Sequence, residues 1–166
     1  ELGVGSCFQM ELPYRHPPDQ PAVTLPALAS YSLLQTHPEG IPPLILLVED
    51  NPGNRLSFSC YLEAKGYRLV TAEEGQGAIA QAEQTLPDLI LMDIQMPGMD
   101  GLEAIQQLRG NPHFAQTPII ALTALAMPGD QERCLAAGAN EYLAKPIKLR
   151  QLAMLIEELL QRQEAG

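Results

Sequence analysis

The chain has 166 residues, room for one ordinary domain and a tail, and carries a formal net charge of −10 with a pI near 4.6. That acidic balance argues against direct nucleic-acid binding, which needs Lys and Arg to neutralise phosphates, and it suits a pocket that holds a cation. Cys7, Cys60 and Cys134 are widely spaced and form no CxxC pair, which predicts free thiols in a reducing, cytoplasmic setting; no apolar stretch approaches membrane-spanning length. No basic-then-apolar leader opens the chain, and its start at Glu1 rather than Met reads as a fragment of something longer.

From Cys7 to Leu12 polar and apolar residues alternate, which places Phe8, Met10 and Leu12 on one face of a strand over residues 1–13. A lone strand with one apolar face needs a sheet to cover it. Residues 14–42 hold Pro17, Pro18, Pro21, Pro26, Pro38 and Pro42. Such a stretch lacks the N–H donors of regular structure and reads as a linker. Within it Leu28, Tyr31 and Leu34 share a helical spacing behind Pro26.

A repeating pattern starts at Leu44. Leu44 to Val48 is an apolar run ending in Glu49-Asp50. Asn51 to Lys65 reads as a helix with Leu56, Ser59, Cys60, Leu62 and Ala64 in register, stopped by Gly66. Arg68 to Ala72 reads as a second strand, and Gly77 to Thr85 as a helix with Ala78, Ile79 and Ala82 inward. Asp88 to Met92 is a third strand, delivering Asp93, and Leu102 to Arg109 a third helix. Pro118 to Leu122 is a fourth strand, Asp130 to Ala137 a helix stopped by Gly138, and Glu141 to Ala144 a short fifth strand. Lys148 to Arg162 closes the chain as a helix with Leu149, Leu152, Leu155, Ile156, Leu159 and Leu160 inward. Five strands alternating with five helices predict an α/β domain with a parallel sheet, helices on both faces and right-handed crossovers.

Parallel strands bring their carboxyl ends to one edge. The pattern then gathers Glu49, Asp50, Asp93, Thr123 and Lys145 at one mouth, provided the first and third strands are neighbours as in flavodoxin-like order. Three carboxylates so placed repel one another, and a bound cation removes that cost. An all-oxygen, watered site favours Mg²⁺. Thr123 adds a hydroxyl donor and Lys145 a fixed positive charge, which together equip Asp93 to receive a phosphoryl group in line.

Leu46-Leu47-Val48-Glu49-Asp50-Asn51, Met92-Asp93-Ile94-Gln95-Met96-Pro97-Gly98-Met99-Asp100-Gly101, Ile120-Ala121-Leu122-Thr123-Ala124 and Tyr142-Leu143-Ala144-Lys145-Pro146 occur in this order. With these motifs residues 43–163 resemble the receiver domain of two-component response regulators. The resemblance implies a flavodoxin-like (βα)5 fold with strand order 2-1-3-4-5. It implies Asp93 as phosphoacceptor, with the receiver catalysing its own phosphorylation and dephosphorylation. It implies Mg²⁺ held directly by Asp50, Asp93 and the Gln95 carbonyl, with Glu49 acting through metal-bound water. Thr123 and Lys145 would contact phosphoryl oxygens, and a cis peptide would precede Pro146. Thr123 and Tyr142 would form the switch, remodelling the surface of the fourth helix, fifth strand and fifth helix. Gln95 and Leu125 would flank the path of a hydrolytic water.

Gly3, Gly5, Ser6, Phe8, Leu12 and Pro13 are similar to the closing strand of the ATP-binding domain of sensor histidine kinases. That likeness implies a terminal remnant of such a domain at 1–13 and the receiver of a hybrid kinase after it. The implied partner is a histidine kinase or histidine phosphotransfer domain, with a homodimer left open. No nucleic acid and no membrane contact is expected of this piece. Several alternatives fit less well. Gly75-Gln76-Gly77 lacks the third glycine of a dinucleotide loop. A dehalogenase-type phosphatase would need an acid where Gln95 stands, and a flavodoxin would need a hydroxyl-rich loop in place of Asn51-Pro52-Gly53-Asn54. His16, His37 and His113 lie beside prolines or in loops and read as bystanders. The remaining alternative is a non-phosphorylated protein-interaction module, whose acidic cluster would have no Mg²⁺ affinity.

Overall fold

A computed structural model describes residues 40–124 and 129–164. The expected strand and kinase remnant at 1–13, nearly all of the linker at 14–42, and Leu125 lie outside the described residues.

Five strands, β1 (Leu44–Val48), β2 (Arg68–Ala72), β3 (Leu89–Asp93), β4 (Ile119–Thr123) and β5 (Glu141–Ala144), form one parallel sheet in the order β2-β1-β3-β4-β5. The helices α1 (Pro52–Ala64), α2 (Gly75–Thr85), α3 (Gly101–Gly110), α4 (Asp130–Ala137) and α5 (Leu149–Glu164) alternate with them. The alternation predicted the parallel sheet with helices on both faces, and the resemblance implied this flavodoxin-like strand order. The expected helix and strand ends shift by one or two residues, and a 3-10 turn at Pro112–Phe114 seats the buried Phe114 before β4.

β1, β3 and β4 are buried along their whole length, which is why they read as unbroken apolar runs. Their alternate side chains serve two cores. Leu46, Val48, Ile90, Met92, Ile119 and Ala121 point to the face covered by α2, α3 and α4. Ile45, Leu47, Leu89, Leu91, Ile120 and Leu122 point to the face covered by α1 and α5. β2 and β5 are the edge strands and are only partly buried.

One helix differs from its expected phase. In α1 the inward residues are Phe58 and Leu62, four apart, whereas Leu56 is 65 % exposed and Cys60 lies at the surface. A stripe drawn from Leu62 back to Leu56 spans six residues, about one and two-thirds turns, which sets the two about a third of a turn apart, so they do not share a face. The other expected stripes are in place: Ala78 and Ala82 in α2, and Leu152, Ile156, Leu159 and Leu160 in α5. Gly138 ends α4 in the left-handed conformation (φ 109°), as a helix-stopping glycine should.

Candidate active site

The site is built at the carboxyl edge, where β1, β3, β4 and β5 end within one crevice. Glu49 and Asp50 follow β1, Asp93 is the last residue of β3, Thr123 the last of β4, and Lys145 follows β5. Glu49 is fully buried and Asp93 and Thr123 are each 1 % exposed; Asp50 is the most open of the carboxylates. Glycine makes the close packing possible. A Cβ at Gly101 would overlap the Asp93 carbonyl, so α3 can start against the end of β3 only with glycine there. The Gly101 N–H donates to the Ile94 carbonyl at 3.0 Å and locks that approach.

Lys145 reaches back from β5 and bridges two acids. Its Nζ donates to Asp93 Oδ2 at 2.6 Å and to Glu49 Oε2 at 2.8 Å. The peptide bond between Lys145 and Pro146 is cis, as the resemblance implied. Asp93 Oδ1 accepts the Gln95 backbone N–H at 3.0 Å. Glu49 Oε1 accepts from Asn54 Nδ2 at 3.0 Å, so each Glu49 oxygen has its own donor. Asn54 in turn sits in the first turn of α1, which Asn51 caps by accepting the N–H groups of Gly53 and Asn54.

Burial pushes the Asp93 carboxyl above its ordinary range; the bonds from Lys145 and the Gln95 N–H pull it back, and the Glu49 charge adds to the rise. Burial works against the Lys145 charge, but its bonds to Asp93 and Glu49 outweigh that, and its net shift is upward. The arrangement is a cluster in which one cation serves two buried acids.

Carboxylate oxygens of Glu49, Asp50 and Asp93 lie within 4.8 Å of one another. The set contains no His or Cys, so its chemistry fits a hard, oxygen-seeking divalent cation and not a thiophilic one. Residues expected at the site are thus gathered as expected: Glu49, Asp50, Asp93, Gln95, Thr123 and Lys145 share one mouth. Tyr142 lies one strand over, half-buried, on the α4 face of the sheet, and pairs in register with Ala121. Asn54 and Arg55 were not singled out in the sequence. Asn54 donates to the Glu49 side chain, and Arg55 donates to the Glu49 carbonyl at 2.8 Å. His113, in the 3-10 turn, is exposed and far from the cluster in the fold, as a bystander should be.

The response regulator receiver domain family matches residues 45–157. The signal transduction histidine-protein kinase BarA of Escherichia coli K12 is 38 % identical over 161 residues, covering 93 % of this chain and 17 % of BarA. The sensor protein GacS of Pseudomonas syringae is 42 % identical over 69 % of this chain and 13 % of its own. The chain therefore spans about a sixth or less of the length of these kinases. The polar-differentiation response regulator DivK of Brucella anthropi is 38 % identical, covering 72 % of this chain and 98 % of DivK. Among solved structures, the receiver domain of the sensor histidine kinase PA1611 of Pseudomonas aeruginosa superposes with a TM-score of 0.68 at 42 % identity. It covers 72 % of this chain and 98 % of that one, and holds a magnesium ion coordinated in its active-site cleft. Vibrio cholerae CheY4 superposes with a TM-score of 0.68 at 31 % identity, over 70 % of this chain and 98 % of its own.

Proposed function

Because this chain belongs to the response regulator receiver family, we propose that Asp93 accepts a phosphoryl group from a phosphohistidine of a histidine kinase or phosphotransfer domain. The observation that carries this reading is the Lys145 bridge, which holds one ammonium between Asp93 Oδ2 and Glu49 Oε2 beside a third carboxylate.

Asp50, Asp93 and the Gln95 carbonyl would hold a Mg²⁺ ion directly, with Glu49 engaged through its water. When bound, Mg²⁺ supplies positive charge that offsets the repulsion among carboxylates and phosphoryl oxygens. A carboxylate oxygen of Asp93 attacks phosphorus in line. The P–N bond to the donor imidazole breaks as the O–P bond of an acyl phosphate forms, and the imidazole leaves with the electron pair. Each Asp93 oxygen carries one donor in the resting state and keeps a second lone pair. Lys145 would keep its bond to Glu49 while its other donors turn to a phosphoryl oxygen, and the Thr123 hydroxyl, at the end of the adjacent strand, would follow. Water attack on the acyl phosphate then returns Asp93 and inorganic phosphate.

Thr123 and Tyr142 fit an output role. Both lie toward the face covered by α4, since Thr123 continues the alternation of Ile119 and Ala121. Tyr142 stands opposite the small Ala121 in register. The activity of a longer kinase around this domain, with residues 1–13 as the end of its ATP-binding domain, belongs to the same reading. A cytoplasmic location fits as well; among the described residues no helix is long and apolar enough to cross a membrane.

Incubation with Mg²⁺ and acetyl phosphate, followed by intact mass, tests the assignment. One phosphoryl group is expected on the parent and none on Asp93→Asn. Full loading of Asp93→Asn overturns the choice of acceptor. Absence of both loading and Mg²⁺ affinity in the parent supports the unphosphorylated interaction module instead.

A further inference from the structure

Arg55 occupies the fourth position of α1, where a cation opposes the positive end of the helix dipole; the first turn of α1 has no acid to compensate. Its side chain is 19 % exposed and leans back toward the helix start, as helical side chains do. There the Nη1 donates to the Glu49 carbonyl at 2.8 Å and, more weakly, to the Asp50 carbonyl at 3.4 Å. The Nη2 donates to Glu73 Oε1 at 2.8 Å, in the loop after β2. The two carbonyls belong to the peptide planes on either side of the Asp50 Cα. Holding both planes fixes φ and ψ of Asp50 and so the direction of the Cα–Cβ bond from which its carboxylate projects.

We propose that Arg55, anchored by Glu73, is a positioning residue that presets Asp50 for Mg²⁺, an inference that rests on the reading of this site as a Mg²⁺-dependent phosphoacceptor. Arg55 touches neither metal nor phosphoryl group. Its guanidinium fork spans the two carbonyls and Glu73 at once, a geometry that the single point charge of a lysine cannot reproduce. Glu73 also offsets the charge that Arg55 brings near a cation site.

The sign of one substitution separates positioning from simple electrostatics. A cation near the site repels Mg²⁺, so removing its charge alone tightens binding. Removing a positioning group loosens it. Mg²⁺ alone is titrated into the parent, Arg55→Gln, Arg55→Lys and Glu73→Gln, followed by the amide shifts of Asp93 and Gln95. A buffer of about 0.15 M ionic strength keeps distant surface charges screened. Thermal unfolding in EDTA establishes that each variant is folded. Arg55→Gln and Arg55→Lys are both expected to bind Mg²⁺ about tenfold more weakly, the scale on which outer partners of ligating groups act. Glu73→Gln is expected to weaken binding in the parent but to add nothing in the Arg55→Gln background. Unchanged or tighter binding by Arg55→Gln overturns the proposal, as does full additivity of the two substitutions. Loading of the parent with acetyl phosphate is measured alongside. If the parent fails to load, the phosphoacceptor reading is at fault; if it loads and the Arg55 variants bind Mg²⁺ like the parent, only the positioning role is.

Discussion

Two half-buried cations sit at opposite edges of the same sheet. At the carboxyl edge Lys145 is held by two carboxylates, Asp93 and Glu49. At the amino edge Arg109 is held by neutral oxygens: the carbonyls of Gly138 and Thr117 at 2.8 Å each, the carbonyl of Phe114, and Asn140 Oδ1 at 2.7 Å. Asn140 Oδ1 also accepts the Ile119 N–H at 2.8 Å, so the entries to β4 and β5 and the ends of α3 and α4 close on one guanidinium. Burial lowers the Arg109 pKa, and at neutral pH it stays charged all the same. The difference is one of exchangeability. Arg109's partners are three backbone carbonyls fixed by the fold and the Asn140 amide oxygen, none of them ionisable, which gives a brace. Lys145's partners are ionisable, and under the proposed function one of them, Asp93, would be the group that reacts, which would make this a contact built to be traded.

The largest expected effect breaks the brace. Arg109→Met leaves the carbonyls at the ends of three turns without their donor and should cost about 3 kcal/mol of unfolding free energy in urea, since each unsatisfied buried acceptor costs on the order of 1–3 kcal/mol and water reaches some of them. The loss should be the same with or without Mg²⁺. Lys145→Met should behave differently. It leaves Glu49 and Asp93 facing each other, so its stability loss should shrink on acidification or on adding Mg²⁺. Equal responses of the two variants to pH and metal would erase the distinction drawn between the two edges.

The two edges were also unequally legible in the sequence. The carboxyl edge announces itself because charged residues stand where apolar runs stop, at Glu49, Asp93 and Lys145. The topology of a parallel sheet then does the gathering. Arg109 and Arg55 stayed silent because their principal partners are carbonyls, which every residue has and no sequence marks. The phase of α1 failed for a related reason. Phe58 and Leu62 stand four apart and share a helix face, but the expected stripe ran through Leu56 instead; the packing against β1 and β3 seats Phe58. The pairing of Tyr142 with Ala121 follows from register, which the short β5 does not fix by its own four residues.

Next in size are the metal effects at the carboxyl edge. Asp50→Ala should weaken Mg²⁺ binding more than Glu49→Ala, because Asp50 is the proposed direct ligand and the open carboxylate of the set, while Glu49 is fully buried and would act through a metal-bound water. Roughly tenfold is expected for Glu49→Ala, as for an outer partner of ligating groups. Titration of both variants decides, and equal losses would mean that Glu49 is itself a direct ligand.

A smaller effect concerns pH. With its pKa raised, folded Asp93 holds a proton more tightly than the unfolded chain does. Stability contributed by this group therefore falls as pH rises from about the ordinary value of 3.8 through the higher folded value, and the cost persists above it. Lys145 does not enter this window, because its own raised pKa keeps it charged past 10.5. Metal-free Asp93→Asn should thus unfold at a higher temperature than the parent at pH 7, and the gap should close as the pH is lowered toward 4. A parent as stable as the variant at pH 7 would show that the Lys145 bond outweighs burial. Mg²⁺ should narrow the gap as acid does, by making the ionised form favourable.

The smallest expected change is the one that carries output. Phosphorylation adds charge and acceptor oxygens at Asp93, which draws the Thr123 hydroxyl toward them. Thr123 is buried on the α4 side of β4, so its movement leaves space beside Ala121 and opposite Tyr142. Tyr142 is the large side chain on that face of β5, packed against the same core as Cys134 and Ala137 of α4. An inward turn of the ring would change what α4, β5 and α5 present to a partner. The bias required is only a few kcal/mol between two packings. Thr123→Ala should therefore still load Asp93 but lose the response on that face. Amide exchange in α4 and α5, with and without fluoroberyllate, reads the coupling directly. If Thr123→Ala responds there as the parent does, the signal leaves the site by another route, and the ring of Tyr142 is a wet half-buried aromatic and nothing more.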